Sequence, residues 1–188
     1  MASLVLDEEK RAGDLGEISL SFIRYWRQLT KKEIIPAQKD LDLHDVYKYA
    51  PHFFIHEIIA PDNIKIILAG TEIVNRYGHE VTGRNYLEYV KPEMRDRVYS
   101  SFKQMSEFRV GLYSKFKTES LTQEYLEGES IGFPIKSNST EKNYLLFLSN
   151  LNVRYRPLYD PKYDIKYVHI PERLYIDIGA GVPETMNT

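Results

Sequence analysis

The sequence predicts an α+β fold: a five-stranded antiparallel sheet with helices inserted between the second and third strands. Three observations carry this. Two short segments rich in β-branched residues, 52–60 and 64–69, flank the turn Pro61-Asp62-Asn63 and read as a hairpin. Residues 92–110 then show apolar side chains at helical spacing. Residues 111–120, 125–135 and 144–153 follow as three strand-like segments. Strands and helices grouped in blocks, without strict alternation, mark the α+β class.

Taken in order, residues 1–17 are polar, with Gly13 and Gly16, and read as a leader. Residues 18–30 form a helix, because Leu20, Ile23, Trp26 and Leu29 recur at three- and four-residue steps while Phe22 and Tyr25 widen the stripe. Such a stripe covers the back of its own sheet or pairs with a second copy. For the second role, Phe22, Ile23, Trp26 and Leu29 are the candidate dimer interface. Residues 34–40 form a Pro-set linker, and Asp40 or Asp42 caps a second helix that ends near Ala50, before Pro51.

After the hairpin, Gly70 breaks the strand and Thr71 is placed to cap a short helix. Ile73, Val74 and Tyr77 give that helix an apolar side, Gly78 stops it, and Gly83 adds a second break. Residues 85–90 suit one more turn. Pro92 fits the start of the long helix, whose Met94, Val98, Phe102, Met105 and Phe108 should lie across the sheet. In the third strand Leu112, Ser114 and Phe116 oppose Tyr113, Lys115 and Lys117. In the fourth, Ile131, Phe133 and Ile135 share a face. The fifth is almost continuously apolar, as a central strand covered on both sides should be. Residues 154–188 form an extension in which Tyr155, Tyr159, Tyr163 and Tyr167 recur every four residues, but Pro157 and Pro161 forbid a regular helix. An extended path is expected, with residues 173–183 suited to a further short strand.

Composition excludes several function classes. The 188 residues carry a net charge of −2 and no basic tract, which argues against nucleic-acid binding by counterion release. There is no cysteine, so disulfides, thiolate metal sites, cysteine nucleophiles and flavin–cysteinyl adducts are absent. The first residues lack a signal peptide's basic start and apolar run, and no stretch has the apolar length of a membrane span; a cytoplasmic setting is expected. The 15 tyrosines and 8 phenylalanines suit half-buried surfaces and cavity walls.

A strand ending Leu68-Ala69-Gly70-Thr71, followed by Ile73-Val74-x-x-Tyr77-Gly78 and then Thr82-Gly83-Arg84, resembles the PAS sensor fold. More narrowly it is similar to a divergent PAS family found mostly in alphaproteobacteria, often as single-domain proteins. The resemblance runs from about Leu20 to about Val153 and includes Trp26, Pro36 through Leu43, and the three glycines. It implies a sensory or interaction module at 18–153 and names no ligand.

No constellation announces catalysis. His52 and His56 share a strand face but lie too far apart for one metal, about 13 Å at strand rise. Asp177-Ile178-Gly179-Ala180-Gly181 resembles a methyltransferase motif but lacks the following sheet. His79 is the only histidine placed for haem on the helical side, which disfavours that cofactor. Glu127 and Glu129 read as a solvated pair. The remaining feature is a candidate pocket. Phe54, His56, Ile66 and Leu68 supply the hairpin side. Ile73, Tyr77, Tyr86 and Phe102 supply the helical side, and Tyr113, Phe133 and Phe147 the later strands. These walls suit a small apolar or aromatic ligand, the cofactor being unassigned. The expected role is a stand-alone PAS-type sensory module with output through protein contacts to a signalling partner, as a homodimer. The rivals are an interaction domain with a filled core and a small-ligand enzyme or carrier.

Overall fold

The computed structural model describes residues 15–29, 33–120, 125–138, 142–151 and 165–186. Its helices are α1 (Glu17–Leu29), α2 (Leu43–Val46), α3 (Thr71–Tyr77) and α4 (Arg95–Phe108). Its strands are β1 (Phe53–Ala60), β2 (Asn63–Ala69), β3 (Val110–Ser120), β4 (Tyr125–Lys136), β5 (Asn143–Leu151) and β6 (Ile165–Asp177). Single turns at Tyr86–Tyr89 and Pro92–Met94 lead into α4.

All six strands form one antiparallel sheet in the order β2-β1-β5-β4-β3-β6. The α+β class and the helices between β2 and β3 agree with the sequence reading. The strand count does not: β6 is a full strand paired along β3, from Val110 opposite Asp177 to Ser120 opposite Ile165. Pro171 sits where that pairing slips opposite Phe116, at a sheet edge, which is where a residue without an N–H is tolerated. The expectations for Tyr155, Tyr159 and Tyr163, and for the leader before Leu15, lie outside the described residues.

The sheet is buried on both faces. On the concave face, α3, α4 and the turns between them pack Ile73, Val98, Phe102 and Met105 against Ile64 and Ile66. On the back, α1 packs Phe22, Ile23 and Trp26 against Tyr113, Ile131, Phe133 and Leu148. Trp26 stacks on Phe133 with centroids 4.6 Å apart. Phe22, Ile23 and Trp26 are at most 2% exposed within the single chain, and Leu29 packs on the same cluster. The stripe therefore covers the chain's own sheet, and a second copy meeting these residues would first have to displace it.

A buried carboxylate fixes the start of α1. Glu129 of β4 accepts the Gly16 N–H at 2.9 Å and the Ser19 hydroxyl. It thus satisfies one of the orphan donors at a helix N-terminus and complements the positive end of the helix dipole. The solvated reading holds for Glu127, which is exposed and meets Lys117 at 2.5 Å, but not for Glu129, because α1 covers only the latter's end of the strand.

Gly70, and not Thr71, occupies the cap position of α3. It is required by close approach, since a Cβ there would lie 2.2 Å from the Ala50 carbonyl oxygen. Gly78 closes α3 in the left-handed conformation at φ 77°. Arg109 does the same for α4 at φ 55° without being glycine.

Two stability outcomes follow. Gly70→Ala should lose about 2 kcal/mol or more by urea denaturation, because the clash is with backbone that cannot rotate away. Glu129→Ala should lose about 2 kcal/mol and speed amide exchange across Glu17–Leu29 ahead of the sheet, because the carboxylate's donors are left unpaired. Unchanged exchange in α1 would show that apolar packing alone holds it.

Candidate functional site

The concave face of the sheet and the helices above it enclose a cavity. Alternation along β3 points Leu112, Ser114, Phe116 and Thr118 into it, while β4 contributes Ser130 and β5 contributes Phe147 and Ser149. From β1 come Phe54 and His56. Arg76 and Tyr77 descend from α3, Tyr86 from the turn after it, and Phe102 from α4; Val168 and Ile170 of β6 close one side. The space open to the centre of a water molecule is about 40 Å³. That holds roughly three waters.

One end of the cavity is aromatic and centres on His56. Its ring lies 4.3 Å from Phe54, 4.9 Å from Tyr86, 5.3 Å from Phe102 and 5.5 Å from Phe147, centroid to centroid. His56 is 1% exposed, and neither ring nitrogen has a hydrogen-bond partner among the described residues. Burial pushes its pKa down to about 3, so the imidazole is neutral and offers one donor and one acceptor. Burial also pushes the Tyr86 hydroxyl up to about 12 and raises Tyr77 well above the ordinary tyrosine value. An imidazole sealed among rings without a partner costs about 1–3 kcal/mol per unmet group.

The other end is polar. Arg76, 4% exposed, donates from Nη1 to Ser149 Oγ at 2.8 Å and from Nη2 to the Ser149 carbonyl at 2.9 Å. Its guanidinium lies 5.0 Å from the Phe116 ring centroid, a cation–π contact. A buried cation thus ties α3 to the central strand β5. Ser114, Thr118 and Ser130 add hydroxyl-bearing side chains to the lining of the same cavity.

The structure brings together six of the expected pocket residues: Phe54, His56, Tyr77, Tyr86, Phe102 and Phe147. Ile66 and Ile73 are buried in the same core but do not line the cavity. Three residues fall elsewhere. Tyr113 and Phe133 face the back of the sheet under α1, each one step off the cavity-facing parity of its strand. Leu68 is 42% exposed, because an extra residue at Ile67 slips the pairing between His56–Ile66 and Ile55–Leu68 and reverses the faces beyond it. Sequence reasoning missed Arg76 and the hydroxyl row. Arg76 lies three residues after Ile73 and one before Tyr77, inside the apolar stripe of α3. Ser114 shares parity with Leu112 and Phe116. Gly132 was a further signal: a Cβ there would meet the Phe147 ring at 2.2 Å, so that face of β4 is reserved for the ring.

Of the other candidates, His79 Nε2 lies 2.8 Å from the Tyr89 hydroxyl. Asp177 Oδ1 accepts the N–H groups of Gly179 at 2.7 Å and Gly181 at 3.0 Å, so the glycine motif is a turn tied to its own strand. Among the described residues, no group of three or more His, Asp or Glu side chains is placed to hold a metal, and no helix is long and apolar enough to cross a membrane.

A protein-family model described as PAS domain matches residues 17–148. No curated protein matches the chain. Among solved structures, the Cycle PAS-B domain of Drosophila melanogaster with bound ethylene glycol is 13% identical, with 53% of this chain and 97% of that chain covered and a TM-score of 0.41. The LOV protein of Rhodobacter sphaeroides is 11% identical, with 61% of this chain and 70% of that chain covered and a TM-score of 0.43. The dark structure of the blue-light photoreceptor Aureochrome1 LOV is 15% identical, with 61% and 85% covered and a TM-score of 0.43.

The neutral imidazole makes a pH prediction. Unfolded, His56 takes up a proton below about pH 6.5; folded, it stays neutral down to about pH 3. The unfolded state therefore binds the extra proton across that window. His56 should make stability fall by up to about 1.4 kcal/mol per pH unit as pH drops from about 6.5 toward 3, and contribute no pH dependence above that window. Denaturant midpoints of wild type and His56→Phe at pH 4.5 and pH 8 check this. The gap between the two proteins should widen in favour of the variant at the lower pH, and a constant gap would mean that His56 is not held neutral.

Proposed function

The chain belongs to the PAS domain family over residues 17–148, and on that premise we propose that it is a sensory and regulatory module that binds a small polar molecule in its internal cavity. PAS folds generally sense signals and bind small ligands. The observation that carries the reading is His56: a buried imidazole whose two nitrogens have no partner among the described residues, lining a cavity that also holds Arg76 and several hydroxyls. A buried polar group persists unpaired only where something offsets its cost. A ligand of a few heavy atoms, donating to one ring nitrogen or accepting from the other, would do so. Of the small apolar or aromatic ligand expected from sequence, the aromatic form is larger than the space in this conformation, since rings at Tyr86, Phe102 and Phe147 already fill that end.

Output would pass through protein contacts. Ser130 lines the cavity and its neighbour Glu129 holds the start of α1 on the other side of β4. A ligand that favours one setting of β4 would thereby bias the docking of α1, and only a differential affinity for two settings can do this. No catalytic step is proposed.

Native mass spectrometry of freshly purified protein, paired with thermal denaturation, tests the reading. Wild type should carry a small bound species that His56→Phe and Ser130→Leu both lose, the second by filling the cavity. Bare protein mass throughout, with both variants as stable as wild type or more so, would favour an interaction domain with a filled core. The same spectra report whether the chain is a homodimer.

A further inference from the structure

A second concave region lies outside the sheet core, between β6 and α4, and its chemistry differs from that of the cavity. It encloses about 450 Å³, within the range of small-molecule sites. Val90, Met94, Val98 and Ile170 give it an apolar floor, while Lys91, Arg97, Lys117 and Arg173 bring positive charge to its rim. The one carboxylate lining it among the described residues, Glu119, is already engaged by Lys91 at 3.1 Å and His169 at 3.2 Å. Lys117 is paired outside the groove with Glu127. Arg97 and Arg173 have no carboxylate partner among the described residues.

Arg173 is the informative residue. Its Nη1 donates to Ser101 Oγ at 2.6 Å and to the Arg97 carbonyl at 3.2 Å, which fixes the guanidinium plane against α4. Its Nε and Nη2 are buried and have no hydrogen-bond partner among the described residues. Those two groups form one edge of the guanidinium, the parallel fork that takes both oxygens of a carboxylate or phosphate. Desolvation, followed by the neighbouring charge of Arg97, disfavours the Arg173 cation in this setting. A half-buried cation beside another cation, with its bidentate edge unpaired, has no anion among the described residues.

We propose that the groove between β6 and α4 is a binding site for a small amphipathic anion, with a carboxylate or phosphate on the Arg173 edge, supported by Arg97, and an apolar body along Val90, Val98 and Ile170. The site stands independently of a ligand in the internal cavity. It depends on β6, which lies outside the stretch matched by the PAS family model. Val168 and Ile170 border both spaces, so an occupant of the groove presses on a wall of the cavity.

The full chain titrated with hexanoate, acetate and inorganic phosphate, followed by calorimetry and by the Arg Nε signals in NMR, tests the proposal. Hexanoate or phosphate should bind saturably and shift an Nε signal that disappears in Arg173→Gln. Hexanoate stronger than both acetate and phosphate identifies a carboxylate with an apolar body, whereas phosphate stronger than hexanoate identifies a phosphate group. Arg173→Gln should weaken binding about tenfold or more, as loss of a charged hydrogen-bond pair does. Arg97→Gln, an exposed change that leaves folding intact, should weaken it by a smaller factor. Lys103→Gln removes the same charge from the solvent side of α4 and should leave affinity within about twofold. Three results would overturn the proposal: no saturation below about 10 mM, equal affinity in Arg173→Gln and Arg97→Gln, or binding only of a polyanion such as heparin with steep salt dependence.

Discussion

Everything in this fold depends on a sheet that must be dry on both sides. α1 seals the back and α3 and α4 seal the front, so the inner strands β1, β4 and β5 have no solvent face along their middles. Successive residues of such a strand serve opposite compartments. On β4, Glu129 holds the helix behind the sheet and Ser130 lines the cavity in front of it. On β1, Phe53 packs with Phe22 of α1 while Phe54 packs with His56 and Tyr86. The two compartments share a wall one strand thick, and that is the physical basis for coupling one to the other.

The front compartment is not a simple hydrophobic core. A buried arginine spans it from α3 to β5, and a buried histidine sits among four rings with no hydrogen-bond partner among the described residues. Both are expensive relative to apolar residues of the same size. Packing by itself would favour Leu or Phe at either position. Their presence argues for a compartment shaped around a polar guest, with the arginine holding the helix over it.

β6 changes what the edge of the sheet can do. Without it, β3 would expose a row of unpaired backbone groups. With it, the edge is capped, α4 gains a neighbour through Arg173–Ser101 and Tyr175–Gln104, and a basic groove opens between the two. The added strand therefore creates chemistry as well as closing an edge.

How far these features were legible in the chain follows from the range of the forces involved. Periodicity and punctuation are local, and they determined the α+β class, the order of helices and strands, Gly78 as a stop, and six residues of the cavity wall. Parity errors account for Tyr113 and Phe133: alternation says which residues of a strand share a face, but not which face looks inward. Leu68 was lost to a slip in pairing that depends on β1. Glu129 read as a solvated charge, and Arg76 went unnoticed, because their partners lie 113 and 73 residues away in the chain. β6 was underread because its pairing partner β3 is 45 residues upstream even at the closest match, Ser120 with Ile165. The sequence by itself determined which elements form and in what order. Only the tertiary structure decided which side of each strand is enclosed and which charges are buried, because burial depends on groups distant in the chain that only the folded state brings together.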